Sequence, residues 1–174
     1  MTPTQINHLI PPDAAIGAAH VTVKNANGVV ANELAPIAKV APAVFTADGG
    51  GRGLPAGVVF RATADSAQHY KPVVKFDSAQ YKFVAISINL CPSPDQIVLI
   101  LFATGLRFRG SNAAVSGMIE GESAKVLSAG GASRLIRPGS GRHAHVAEPC
   151  LALVVNVALT ADGQTANNAQ INIK

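Results

Sequence analysis

Five histidines are present, and two of them, His143 and His145, stand two residues apart in Arg142-His143-Ala144-His145. On a strand that spacing puts both imidazoles on one face. A protein metal site needs a third ligand, and none accompanies the pair, so no metal is expected. His8, His20 and His69 are isolated and read as ordinary surface or half-buried residues. The two cysteines, Cys91 and Cys150, do not make a disulfide framework. They are expected as separate thiols. Cys150 has His145 nearby, but no Gly-x-Ser-x-Gly or other nucleophile motif supports catalysis, and the pairing reads as accidental. Asp48, Asp65, Asp77, Asp95 and Asp162 all fall in predicted turns, where an aspartate bonds its own backbone. The spacing of a calcium loop is lacking. Asp48-Gly49-Gly50-Gly51-Arg52-Gly53 is glycine-rich but has no Gly-Lys-Ser/Thr ending and no following helix, so it is a connection rather than a phosphate loop. No catalytic, cofactor-binding or metal residue is therefore expected. For ligand binding, the chain offers Phe60, Tyr70, Tyr81, Phe83 and Phe108 as an aromatic platform.

The elements that would carry these residues are short. Of 174 residues, 48% are hydrophobic and 14% charged, which argues for a folded body with a real core. Sixteen glycines and eleven prolines are spread between short apolar runs, as many turns between many strands require. Tryptophan is absent, so the core rests on Val, Ile, Leu and Ala. The formal charge of +4 comes from scattered residues, and nucleic-acid binding is not expected. No signal peptide is visible at Met1-Thr2-Pro3-Thr4-Gln5. The longest apolar run, Ile97 to Ala103, is too short to cross a bilayer.

His20 to Lys24 and Val29 to Leu34 read as a hairpin around Asn25-Ala26-Asn27-Gly28. Gly57 to Thr63 is a strand. Val73 to Phe76 and Tyr81 to Leu90 flank the turn Asp77-Ser78-Ala79-Gln80, and Val84, Ile86, Ile88 and Leu90 alternate as one buried face. Ile97 to Ala103 is a strand covered on both faces. Val115 to Glu120 and Ala124 to Ser128 form a hairpin around Gly121. Leu153 to Thr160, the turn Ala161-Asp162-Gly163 and the strand Gln164 to Lys174 close the chain.

The two ends repeat one another. Val21-Thr22-Val23, Asn27-Gly28 and Ala31-Asn32 parallel Val155-Asn156-Val157, Asp162-Gly163 and Ala166-Asn167. The expected division is a fragment of a first immunoglobulin-like module over residues 1–43, with its earlier strands missing, and a second immunoglobulin-like β-sandwich over residues 44–174.

The chain resembles the uncharacterised C-terminal domain of long secreted proteins in Solibacter-type bacteria. The carrying residues are Pro3-Thr4-Gln5-Ile6-Asn7, Val40-Ala41-Pro42-Ala43-Val44-Phe45-Thr46-Ala47, Phe76-Asp77-Ser78-Ala79-Gln80, Asp95-Gln96-Ile97-Val98-Leu99-Ile100-Leu101-Phe102, Thr104-Gly105-Leu106-Arg107 and Thr160-Ala161-Asp162-Gly163-Gln164-Thr165-Ala166-Asn167. The resemblance implies tandem sandwich modules at the end of larger exported proteins, placed outside the cell or at its surface. It implies no activity and no functional residue.

The pattern is lost between about Gly131 and Cys150, where the family carries a strand. With suitable codons for Ser140 to Cys150 read one base later, this stretch spells Leu-Asp-Val-Thr-His-Met-Leu-Pro-Ser-Leu-Ala. Gly131 to Ser133 then spells Ala-Gln-Ala, and the frame returns near Leu151. A frameshift is the expectation. Arg134, Arg137, Arg142, His143 and His145 would cost several kcal/mol on a buried face, so the stretch should loop out and expose the edge of the neighbouring strand. The leading expectation is a non-enzymatic structural or interaction module whose partners are other domains of a parent protein or cell-surface components. A carbohydrate- or ligand-binding sandwich is the alternative, and a non-functional gene fragment a further one. No cofactor is expected.

Overall fold

The computed structural model describes residues 6, 8–63, 65–90, 95–130 and 153–174, and the backbone of 136–137. Every regular element among them is a strand, and every pair of named strands is antiparallel. The chain divides into two compact units, Met1–Lys39 and Val40–Lys174. The division falls just ahead of the expected boundary after Ala43.

The first unit is a hairpin of β1 (Gly17–Asn25) and β2 (Gly28–Ile37). Its turn closes as the Asn-Ala-Asn-Gly text predicts: the Asn25 side chain accepts the Asn27 N–H at 2.8 Å. A bulge between Val23 and Lys24 shifts the register. Val21 and Val23 are half-buried, whereas Val29, Val30 and Leu34 are exposed.

The second unit holds β3 (Ala43–Val44), β4 (Gly57–Ala62), β5 (Gln68–Pro72), β6 (Val74–Asp77), β7 (Lys82–Ala85), β8 (Gln96–Leu101), β9 (Ala103–Thr104), β10 (Val115–Ile119), β11 (Glu122–Val126), β12 (Ile136–Arg137), β13 (Leu153–Ala161), β14 (Gln164–Thr165) and β15 (Ala169–Ile173). Its main sheet runs β14-β13-β10-β11-β12-β8-β4-β5, with β15 continuing the β14 edge along β13. The pairs β3–β9 and β6–β7 stand as small separate ladders.

Patterning explains the layers. In β13, Val155, Val157, Leu159 and Ala161 are buried while Leu153, Val154 and Asn156 are exposed at the start of the strand. Such an alternation fits one face on the core. β8 has Val98, Leu99 and Leu101 buried, so both its faces are covered as the apolar run predicts, but the strand stops at Leu101: Phe102 is 40% exposed and Ala103 belongs to β9. One cluster joins Val155, Val157 and Ile171 from the β13 end of the sheet to Val59, Leu99 and Leu101 from the β8 end. The packing is sandwich-like and wholly aliphatic, and β12 is the link through which the two ends of the sheet communicate. The turn between β13 and β14 is a two-residue loop with Asp162 at φ 47° and Gly163 at φ 78°, the paired positive angles of a tight hairpin.

Four expectations need correction. Ile136–Arg137, placed in the looped-out stretch, forms β12 and pairs with both β11 and β8, so the edge expected to be open is filled there. The rest of 131–152, with Cys150, His143 and His145, lies outside the described residues, as does Cys91. The run Tyr81 to Leu90 leaves its ladder at Ala85. Ile88 is buried, but Leu90 is 41% exposed, because 88–90 crosses over to bond alongside β15. The closing strand Gln164 to Lys174 is broken at 166–168, where Asn167 is drawn into other bonds. Finally, β5 was not foreseen at all.

Candidate functional site

The β6–β7 hairpin stands as its own two-stranded ladder, with Phe76 across from Phe83. At its base Val74 packs on the core, and Ile86 N–H bonds the Val73 carbonyl at 2.8 Å. Towards the tip its aromatics meet one another. Phe76 touches Tyr81 at 5.5 Å between ring centroids and Phe83 at 5.4 Å, with planes at 77° and 72°. These are edge-to-face contacts, the arrangement favoured by ring quadrupoles. Phe76 is 49% exposed and Tyr81 85%.

The turn that carries Tyr81 is built by Asp77. Its carboxylate accepts Ala79 N–H at 2.9 Å, Gln80 N–H at 3.2 Å and the Gln80 amide at 2.8 Å. The Gln80 and Ala79 N–H groups hold this carboxyl below its ordinary range, with a smaller help from the Gln80 side chain and Lys75. Tyr81 then takes φ 51°, a left-handed angle that a bulky aromatic adopts at a cost. The strain is spent on setting the ring beside Phe76.

A groove of about 280 Å³ lies on the core-side face of β4 and β5. Val59 and Ile88 form its floor, and Arg61, His69 and Lys71 its basic wall. Arg61 is already engaged: Nη1 meets Asp95 at 2.5 Å and Nη2 donates to the Asn89 carbonyl. On the opposite face, Phe60 and Tyr70 meet in a tilted pair with centroids 5.0 Å apart and planes at 48°.

The residues singled out by sequence are thus dispersed. Tyr81 and Phe83 come together, joined by Phe76, which the sequence reading passed over as a strand residue. Phe60 and Tyr70 make a second pair, and Phe108 stands apart beneath the Arg107 guanidinium at 5.8 Å. Of the turn aspartates, Asp48 bonds Gly50 N–H at 2.9 Å, and Asp65 bonds the Thr63 hydroxyl and Ala67 N–H. These bonds, Gly50 N–H foremost for Asp48 and the Thr63 hydroxyl for Asp65, draw both carboxyls below their usual range. Asp162 lies in its predicted turn, but the side chains of Asp95 and Asp162 bond elsewhere than to their own turn backbone. Asp95 pairs with Arg61, and Asp162 accepts Gly110 N–H at 2.9 Å from a loop 52 residues away.

Among the described residues, no group of three or more His, Cys, Asp or Glu could hold a metal ion, and no helix is long and apolar enough to cross a membrane. No family model matches the chain, and neither a curated protein nor a solved structure matches it.

Proposed function

We propose that the chain is a non-enzymatic structural or interaction module of a larger exported bacterial protein. On this reading the second unit is an immunoglobulin-like sandwich and the first a fragment of a related module. The resemblance of its motifs from Pro3 to Asn167 supports the family-level part. The observation that carries the interaction is the exposed Phe76–Tyr81–Phe83 cluster on its hairpin. Exposed aromatics with a fixed mutual geometry are the usual anchors of a protein contact.

A carbohydrate-binding reading is favoured by the exposure of Tyr70 and Tyr81. It is disfavoured by the ring planes, since rings at 72° and 77° present a corner and not the flat face on which a sugar ring stacks. The full chain, immobilised through a tag, is challenged with soluble oligosaccharides and with exported bacterial proteins. Saturable protein binding that weakens about tenfold or more in Phe76→Ala and Tyr81→Ala is expected. Binding to sugars alone, lost in Tyr81→Ala, would overturn the proposal in favour of the alternative.

A further inference from the structure

β5 ends the main sheet, and all five of its residues are exposed. The bonds Thr63 N–H to Ala67 O at 3.0 Å and Val73 N–H to Gly57 O at 3.2 Å fix which of its backbone groups face inward. In an antiparallel ladder these alternate, so residues 69 and 71 bond β4 while Gln68 and Tyr70 turn their N–H and C=O outward. Among the described residues, no backbone group reaches them. Pro72 offers a carbonyl but no N–H, which closes the ladder at that end.

The side chains alternate too. Lys71 and His69 face the groove with Val59 and Arg61, while Tyr70 continues a row with Phe60 and Val98 on the other face. A strand added to this edge would place one residue beside Tyr70 and its two neighbours opposite Lys71 and His69. A second copy of β5 has no carboxylate to answer Lys71, since Gln68-His69-Tyr70-Lys71-Pro72 carries none. Among the described residues lining the groove none is acidic; nearby, Asp95 is taken by Arg61, and Asp65, close enough to His69 to feel its charge, is held by the Thr63 hydroxyl and Ala67 N–H.

We infer that β5 receives an extended peptide segment in which acidic and apolar residues alternate, the apolar one lying on Tyr70 and the acids facing Lys71 and His69. This rests on the reading of the chain as an interaction module and names a contact separate from the aromatic hairpin. The probe is the blocked peptide Glu-Val-Glu-Val-Glu, titrated into the isotope-labelled full chain and followed by amide shifts. Lys-Val-Lys-Val-Lys serves as its control. Saturable shifts centred on 68–72, slowed exchange of the Gln68 and Tyr70 amides, and binding weakened about tenfold or more by Lys71→Glu are expected. Lys71 is exposed, so the variant keeps the wild-type spectrum elsewhere. Absence of saturable binding, equal binding of the lysine peptide, or indifference to Lys71→Glu would overturn the inference. Shifts centred on Phe76 to Phe83 and abolished by Tyr81→Ala would also overturn it, while leaving the hairpin reading standing.

Discussion

Asn167 does more than its place in a loop suggests. Its Oδ1 accepts Val44 N–H at 2.7 Å, and its Nδ2 donates to the carbonyls of Val44 at 3.0 Å and Gly51 at 2.7 Å. An amide supplies one acceptor and two donors, and all three are used. Asn167→Ala should lower unfolding free energy by roughly 2–4 kcal/mol in a urea titration, because bonds are lost and the partly buried Val44 groups are left without partners. Asn167→Asp should cost at least as much, since a carboxylate would face two carbonyls. Asp77 gives a pH prediction. Its carboxyl is held below the ordinary 3.8, so the turn's bonds are intact above that value and are lost as pH falls through the lower, folded one. Protection of the Ala79 and Gln80 amides, taken relative to their intrinsic exchange rates, should fall in that acid window, and the change should disappear in Asp77→Asn.

At the level of elements, the two hairpins with repeated text should behave differently. Val157 is 1% exposed in β13, whereas its counterpart Val23 in β1 is half-buried. A two-stranded hairpin is marginal unless its apolar face is covered. Amides of β1 and β2 should therefore exchange orders of magnitude faster than those of β13, and equal protection would contradict the burial difference. Gly105 offers a second check: it sits at φ 76°, and a Cβ there would lie 1.7 Å from the Ala41 carbonyl oxygen. Gly105→Ala should break the Ala41–Gly105 bond and cost more than about 2 kcal/mol, read from the urea midpoint. These elements also mark what the sequence could tell. β8, β10, β11 and β13 were legible because apolar periodicity and Asx-Gly or Gly turns signalled them directly. β5 was not, because an edge strand buries neither face and Gln-His-Tyr-Lys-Pro has no apolar alternation to read. The break at 166–168 was hidden for another reason: local text favours strand, and a tertiary bond from Asn167 overrides it. Tyr81 was visible as an aromatic, but its clustering with Phe76 depends on a backbone angle that no residue pattern announces.

For the whole molecule, the aliphatic core has a spectroscopic consequence. There is no tryptophan, and both tyrosines, Tyr70 and Tyr81, are exposed. Acrylamide should quench native tyrosine fluorescence almost as well as that of the denatured chain, and unfolding of the core should be followed in the far ultraviolet instead. A strongly shielded native signal would mean the tyrosines are covered. The clasp between Asn167 and Val44 spans 123 positions, and Gly53 bridges to Ala169 across a similar distance. Closing so long a loop is slow and must wait for its far partner. A ribosome making this chain would add 123 positions after Val44 before that first segment of the second unit could find its lock. Until Asn167 has been made, the greasy strands of the second unit would wait on the nascent polypeptide without that clasp, in need of a chaperone's cover.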